Sequence, residues 1–527
     1  MTRVLISDAI EQGCVDALKQ EGFTVDVRTG LPKEELKKII ADYDVLVVRS
    51  STKVTADIIA AASKLRVIGR AGAGVDNIDV EASTRKGIVV MNTPGGNTVS
   101  TAEHTMSLLL SMARNIPQAN LSLREGKWER GKFLGTELIG KTIGILGLGK
   151  VGREVATRCQ AFGMTTIGFD PLVSAEVATK LNIGLVPLEE IFRRSDFITV
   201  HTPLNEETRG LVGEKQFAAC KKGVRIINCA RGGIVDEQAL LKALDAGIVA
   251  SAAVDVFEQE PPKESALVRH PRVVATPHLG ASTEEAQEKV ARQIAVQIAD
   301  YLKERGMAGA VNAEAIRMAM RGDLKPFVQL AERMGMLQSQ LMSGKLKSMT
   351  VTCSGPLLSS SLEMVTAGVL KGIFSAMLSE PVNLVNASVI AKELGLTVRQ
   401  QLEAESGSYT HLIKLSYESD AGPHLLSGTV FGSASGRIVQ VDDYLIELSP
   451  EGHMLFYRNI DRPGMLATVG SVLASSGINI GGLSLGRVTP GEKALTVINV
   501  DSAIPGEIIE KLRGIEGVFD VRSVHLV

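Results

Sequence analysis

Three side chains able to move protons or hold an anion stand just past apolar runs in the middle of the chain. They are Arg231 in Asn228-Cys-Ala-Arg231-Gly-Gly, Glu260 in Phe257-Glu-Gln-Glu260-Pro-Pro, and His278 in Thr276-Pro-His278-Leu. Such runs read as parallel strands, and ligands of open α/β sheets gather at the carboxyl ends of strands. A histidine can be poised to take a proton near neutral pH. A carboxylate on its other ring nitrogen would fix the tautomer, and an arginine fork suits a substrate carboxylate better than lysine does. The set fits removal of a hydride from a carbon bearing a hydroxyl, with His278 accepting the hydroxyl proton. Local sequence leaves other readings open. His278 before a helix cap could bond only backbone, Glu260 beside two prolines could be a loop acid, and His201 at another strand exit is a rival base.

A hydride needs an acceptor, and residues 142–170 are organised to hold one. The apolar run Thr142–Leu146 empties into Gly147-Leu-Gly149-Lys-Val-Gly152; a helical pattern follows, then the strand Thr165–Phe169, ending on Asp170, 18 residues after Gly152. This is the βαβ dinucleotide pattern. Gly147 allows the tight turn, Gly149 lets the backbone approach a pyrophosphate, and Gly152 lets the helix pack on the strand. The helix N-terminus offers N–H groups to phosphate, and Asp170 is placed for an adenosine ribose. Asp170 would repel a 2′-phosphate, and Pro171-Leu172-Val173 brings no arginine to pair with one, so NAD is expected over NADP.

Around this unit the chain alternates strands and helices. In the first lobe, strands are expected at 3–7, 24–27, 45–48, 66–69 and 88–91; two of them end in Arg49 and Arg70, candidates for an anionic substrate unless both are merely solvated. A helix is expected from about Val99 to Asn115, broken by Pro117, and Ser282 with Glu285 has the spacing of a capping box for a helix reaching about Glu304. Two lobes with a cleft between them follow from this pattern. Residues 317–450 carry less local information, with helices at 362–378 and 386–394 and strands at 347–352 and 428–431. Residues 453–527 read strand-helix-strand-strand-helix-strand, the ferredoxin-like plan.

Bulk properties exclude several classes. A formal charge of -2, from 57 basic and 59 acidic residues, argues against nucleic acid or an anionic membrane as the main partner. No run approaches the roughly 20 apolar residues of a membrane span. The start of the chain does not resemble a secretory signal. The five cysteines show no metal-ligand spacing, which points to a reducing cytoplasmic compartment and no metal.

The segments GILGLGKVGREVA, NCARGGIVDEQALLKAL, AVDVFEQEPP and TPHLGAST together resemble the D-isomer-specific 2-hydroxyacid dehydrogenase family, and GRAGAGVDNID with the C-terminal lobes resembles its long form. The resemblance implies a Rossmann-type NAD-binding domain (98–282) inserted in a flavodoxin-like substrate domain (1–97, completed by about 283–310). An α+β intervening domain (317–450) and a ferredoxin-like ACT domain (453–527) would follow. It makes Arg231, Glu260 and His278 the catalytic set and His201 structural. Cofactor contacts carry over to Gly147, Gly149, Lys150, Val151, Gly152, Asp170, Thr202, Cys229, Asp255, His278, Leu279, Gly280 and Ala281. Substrate contacts carry over to Arg49, Arg70, Asn97 and Arg130, and effector contacts to Asn459, Asp461 and Asn479. The implied reaction is oxidation of 3-phospho-D-glycerate to 3-phosphohydroxypyruvate in a cytoplasmic homo-oligomer (dimer or tetramer), with L-serine as the expected effector. The alternatives are a hydroxypyruvate or other 2-oxoacid reductase and a dinucleotide-sensing, corepressor-like scaffold.

Overall fold

The computed structural model describes residues 2–313, 322–378, 381–432 and 434–526. The expected start of the intervening lobe at 317 and the last residue of the final strand lie outside the described residues. Two compact units form: Met1–Asn92 with Ile294–Val527, and Thr93–Gln293.

The first unit begins with a five-stranded parallel sheet in the spatial order Thr24–Val27, Arg3–Ile6, Val45–Val48, Val67–Arg70, Val89–Met91. Its central strands are apolar on both faces, with Val45, Leu46 and Val47 fully buried, as parallel strands covered by helices must be. One cover is the second half of the helix Glu284–Leu302: a Cβ at Gly69 would lie 2.6 Å from Ile298 Cδ1, so only glycine lets the helix settle there. The chain then returns beside the last strand, where Asn92 N donates to Gly309 O (2.9 Å) and Val90 N to Asn312 Oδ1 (2.8 Å). The cap of the helix at 284 differs from expectation. Thr283 Oγ1, not Ser282, accepts from Ala286 N at 3.2 Å.

The second unit holds a seven-stranded parallel sheet, ordered Val273–Ala275, Val249–Val254, Val224–Asn228, Phe197–Val200, Thr142–Leu146, Thr165–Phe169, Gly184–Leu185. Strand order reverses between Thr142–Leu146 and Phe197–Val200, the switch point where doubly wound sheets bind ligands. The helix expected at 99–115 spans Thr98–Ala113. Asn115 then takes a left-handed turn (φ 51°), and a second helix, Ile116–Arg124, starts with Pro117 in its first turn. Proline there starts a helix rather than only ending one.

Residues 325–448 form a six-stranded sheet backed by the helices Lys325–Leu341 and Leu362–Met377; its strands are ordered Thr397–Glu403, Leu346–Ser354, Leu412–Ser419, Gly422–Phe431, Ser435–Val441, Tyr444–Leu448. Only the first pair is parallel. The C-terminal segment has the expected order, with an antiparallel sheet Ile480–Arg487, Lys493–Val500, Gly452–Ile460, Val518–Leu526. Its two faces go to different cores. Leu455, Tyr457 and Ile498 pack under the helices Met465–Ser475 and Gly506–Arg513, while Met454, Phe456, Leu495 and Val497 join the core of the preceding sheet. Period-two alternation makes this possible, because neighbouring side chains leave opposite faces. Among the described residues no helix is long and apolar enough to cross a membrane.

Candidate active site

In the second unit the three glycines of the fingerprint have separate steric jobs. Gly147 turns at φ 94°, and a Cβ there would lie 2.6 Å from His201 O. Gly152 faces Gly147 O so closely that a Cβ would collide with it, whereas a Cβ on Gly149 would meet nothing within 4 Å. Gly149 therefore leaves backbone open to a ligand at the N-terminus of the helix Lys150–Ala161. Asp170 braces the same loop: Oδ2 accepts from Leu148 N and Oδ1 from Leu172 N, both at 2.8 Å. The Thr202 methyl comes 2.9 Å from where a Gly147 Cβ would stand, and its hydroxyl is buried without a partner among the described residues. An orphaned hydroxyl, open backbone at Gly149 and a terminal acid fit a dinucleotide. Lys150 Nζ lies near Pro94 O (3.5 Å), and Val151 is partly buried against the core under the sheet. The Cys229 thiol lies in that core, where burial pushes it up to about 12, so only backbone there is available to a ligand.

His278 and Glu260 come together. His278 Nδ1 lies 2.8 Å from Glu260 Oε2, and Glu260 Oε1 accepts from Phe257 N at 3.1 Å. Burial raises the Glu260 carboxyl, and the hydrogen bond and charge of His278 lower it by more, leaving it below its ordinary value. His278 sits in the left-handed region at φ 54°, which a non-glycine residue adopts only where its surroundings hold it. The holder is Asp255, fully buried. Its Oδ1 accepts from Thr276 Oγ1 (2.6 Å) and Leu279 N (2.7 Å), its Oδ2 accepts from Gly280 N (2.8 Å), and His104 Nε2 stands 3.1 Å away. Both oxygens of Asp255 are thus used inside the protein. The loop is tied from the other side, since Ser100 Oγ and Thr101 Oγ1 donate to Gly280 O, and Asn97 Nδ2 reaches Thr101 Oγ1 at 3.2 Å. Leu279 is 39% exposed, and Ala281 is partly exposed.

Arg231 is brought to the same neighbourhood by close packing. A Cβ on Gly232 would collide with the Phe257 carbonyl, so glycine allows the Arg231 turn to lie against the loop that carries Glu260. Asn228 Nδ2 donates to Arg231 O at 3.0 Å and fixes that turn. His201 is placed differently. Its Nε2 pairs with Thr199 Oγ1 at 2.9 Å, and burial drives its imidazole down to about 4. Arg130 lies exposed on the 3-10 turn Arg130–Phe133, outside this network.

In the first unit, Arg49 and Arg70 occupy neighbouring strand ends, Val48 pairing with Arg70. The turn at Arg49 is clamped by two residues absent from the sequence-derived set. Buried Asp8 accepts from Arg49 N (2.7 Å), Thr52 N (3.1 Å) and Thr52 Oγ1 (2.6 Å), and Asn77 Nδ2 donates to Arg49 O and Thr52 O, both at 2.7 Å. Asp8 was readable as one more polar residue past a strand exit. The Arg70 guanidinium folds over Gly72, where a Cβ would collide with it, and the Gly72 φ of 149° is one that residues with side chains rarely adopt.

The C-terminal residues are less open. Asn459 is 4% exposed and bonds Ile460 O and Thr496 Oγ1 within the sheet. Asp461 accepts from Arg487 Nη1 (3.0 Å) and Gly491 N (3.2 Å), and the latter, with Arg487, holds its carboxyl low. Exposed Asn479 donates to Asp501 Oδ2 at 2.7 Å.

Residues 106–280 match the model of the D-isomer specific 2-hydroxyacid dehydrogenase NAD binding domain, 323–442 that of the D-3-phosphoglycerate dehydrogenase intervening domain, and 453–517 that of the ACT domain. The NAD-binding dehydrogenase class is thereby defined. The D-3-phosphoglycerate dehydrogenase of Archaeoglobus fulgidus is 44% identical over 99% of this chain and 100% of its own, and that of Homo sapiens 45% identical over 96% of each. The solved structure of D-lactate dehydrogenase from Aquifex aeolicus, complexed with NAD and lactic acid, covers 57% of this chain and 96% of its own at 26% identity and a TM-score of 0.51. The chain belongs to the D-3-phosphoglycerate dehydrogenase family, within the D-isomer specific 2-hydroxyacid dehydrogenases.

The fingerprint glycines give a contrast to measure. Gly149→Ala should melt like the wild type yet bind NAD at least about 10-fold more weakly, the loss of roughly one charge-assisted contact. Gly152→Ala should lose thermal stability, because its Cβ must displace backbone. Melting curves with and without NAD separate the two, and equal behaviour would contradict the steric assignment.

Proposed function

We propose that this chain catalyses the NAD-dependent oxidation of 3-phospho-D-glycerate to 3-phosphohydroxypyruvate, the entry step to L-serine. The observation that carries the reading is the 2.8 Å His278–Glu260 pair on a left-handed loop residue, in a chain whose full-length relatives bear that activity in their names. NAD, when bound, supplies the hydride acceptor, with Gly147, Gly149, Lys150, Val151, Gly152, Asp170 and Thr202 as the residues to hold it. His278 takes the C2 hydroxyl proton at Nε2 as the C–H bond breaks and the C–O bond becomes a carbonyl. Glu260 keeps Nδ1 protonated and answers the charge that develops on the ring. Arg231, with Asn97, holds the substrate carboxylate; Arg49 and Arg70 hold the phosphate. Asp255 acts through the loop it braces.

The domain division proposed is 1–97 completed by about 283–310 for substrate, 98–282 for NAD, 317–450 intervening and 453–527 ACT. Five unpaired cysteines suit a reducing cytoplasm. Exposed Leu121, Trp128 and Leu134, at 59%, 76% and 89%, suit a covered face in a homo-oligomer.

His278→Ala should lose about 100-fold or more in turnover. The Glu260–His278 pair is complete above the ordinary carboxyl range and is lost only as pH falls through the depressed Glu260 value. Glu260→Gln lacks the charge at every pH, so its activity should fall across the neutral range and not at the acid end alone. His201, with its value near 4, is neutral throughout, and His201→Gln should keep the wild-type profile. Initial rates followed at the reduced-nicotinamide band between about pH 5 and 9 decide. Normal turnover in His278→Ala would move the base elsewhere.

Arg49→Ala and Arg70→Ala should each raise KM for 3-phosphoglycerate roughly 10-fold or more and leave that for unphosphorylated D-glycerate nearly unchanged. Equal losses on both substrates would make the arginines structural.

We further propose that L-serine is the effector of the C-terminal domain, its ammonium competing with Arg487 for Asp461 and its polar end meeting Asn479, while Asn459 only braces the strand. Millimolar serine should inhibit the full chain, and inhibition unchanged in Asp461→Ala with Asn479→Ala would place the effector elsewhere.

A further inference from the structure

His104 belongs to no set read from the sequence, yet it meets the segment that carries His278. It lies on the helix Thr98–Ala113, with Ser100 and Thr101 four and three residues before it, so the three side chains share one face. All three reach segment 276–280. Ser100 Oγ (2.7 Å) and Thr101 Oγ1 (3.1 Å) donate to Gly280 O, and His104 Nε2 stands 3.1 Å from Thr276 Oγ1. His278 lies midway, two residues from each grip. Its own N–H is shared between Asp255 O at 2.9 Å and Thr276 O at 3.0 Å.

The protons can be assigned by counting. Thr276 has one hydroxyl proton, and the 2.6 Å contact commits it to Asp255 Oδ1. Only lone pairs remain on Thr276 Oγ1 for His104, and Asp255 Oδ1, also 3.1 Å from Nε2, is an acceptor too. Nε2 therefore carries the N–H, and the imidazole donates into the Thr276–Asp255 pair. The donor matters because Asp255 is fully buried, where an ionised carboxylate depends on the hydrogen bonds it receives. Its contact with His104 is among the causes that hold the Asp255 carboxyl below the ordinary value. Without that N–H, Asp255 loses a donor and the Thr276 hydroxyl an incoming hydrogen bond. Both losses fall at the end of the loop that Ser100 and Thr101 do not grip.

We propose that His104 is a positioning residue for the oxidation assigned above, acting through Thr276 and Asp255 to keep the His278 imidazole against Glu260 and in line with the substrate hydroxyl. The proposal rests on His278 as the base. A base displaced by about 1 Å can lose on the order of 100-fold in rate. Phosphate binding at Arg49 and Arg70 does not depend on that displacement.

Kinetics of the full-length enzyme with NAD and 3-phosphoglycerate test it in His104→Leu and His104→Gln. Leucine has no N–H to give, whereas the glutamine amide offers an uncharged one from the same helix position. His104→Leu should lower kcat roughly 10-fold or more and leave KM for 3-phosphoglycerate within about 3-fold of the wild type. His104→Gln should recover most of kcat. Single-turnover formation of reduced NAD, with enzyme in excess, should slow in His104→Leu by a similar factor. Loss of folded protein would lower the amplitude of that phase and leave its rate alone. Thr276→Val should slow it too, and the double variant His104→Leu with Thr276→Val should lose less than the product of the two single losses. A wild-type enzyme unable to oxidise 3-phosphoglycerate would overturn both the reaction and this role. With the wild type active, a wild-type rate in His104→Leu, a His104→Gln as slow as His104→Leu, or fully multiplicative losses would overturn the role of His104 alone.

Discussion

Asp255 carries a charge in a place with no exposure to water, and the candidate active site depends on how that charge is met. Burial raises its carboxyl, and donors from His104, Thr276 and Leu279 lower it below the ordinary value. An isolated carboxylate at such a position would be neutralised or expelled. Beside the His104 and Thr276 side chains, its donors include the backbone N–H groups of Leu279 and Gly280, which directly follow His278. The same contacts that satisfy the charge therefore fix the loop, and they hold His278 in a left-handed conformation worth about 1–3 kcal/mol of local strain. Removing the acid would orphan several donors at once, each costing roughly 1–3 kcal/mol. The geometry of the His278 loop and the electrostatics of the core are one problem at this position.

Close backbone approach is the second constraint. Gly152 against Gly147 O and Gly232 against Phe257 O leave no room for a methyl group, and each joins two segments that must act together. The first pair sets the helix on the turn at Gly147. The second presses the Arg231 turn against the loop of Glu260, whose carboxylate bonds Phe257 N and then His278. Arginine, carboxylate and histidine follow three different strand ends, and glycine lets the turn carrying Arg231 lie against the loop carrying Glu260.

The readable parts of this site are those dictated by local sterics. The fingerprint glycines stand at offsets fixed by one turn and one helix, and Arg231, Glu260 and His278 follow apolar runs that announce strand ends. Asp255 and Asp8 were harder to place because their partners come from distant segments: Asp8 closes on a turn 41 to 44 residues away. Strand Thr397–Glu403 was missed for another reason. It is an exposed edge carrying Arg399, Gln400 and Gln401, so the apolar alternation that marks a half-buried strand is weak there. Helix Lys325–Leu341 was also missed, although its buried face of Phe327, Leu330, Ala331, Met334 and Leu337 keeps helical spacing.

Asn459 shows what strand parity alone makes legible. Leu455, Tyr457 and Asn459 share one parity on their strand, and the first two are core residues. Parity alone turns Asn459 inward, where Thr496 and Ile460 occupy its amide, and leaves the turn residues after the strand to meet solvent. The opposite parity, Met454 and Phe456, leads into the core of the preceding sheet, and Arg458 continues that row to the rim of a cavity that Asp442 and Arg522 also line. A strand buried on both faces thus has a polar end on each. Asp461 follows in the turn that reaches Arg487 and Gly491, and Arg458 reaches the seam with the six-stranded sheet. The apolar length of the strand is packed into two cores, so a shift imposed at one end cannot be absorbed locally in a close-packed interior.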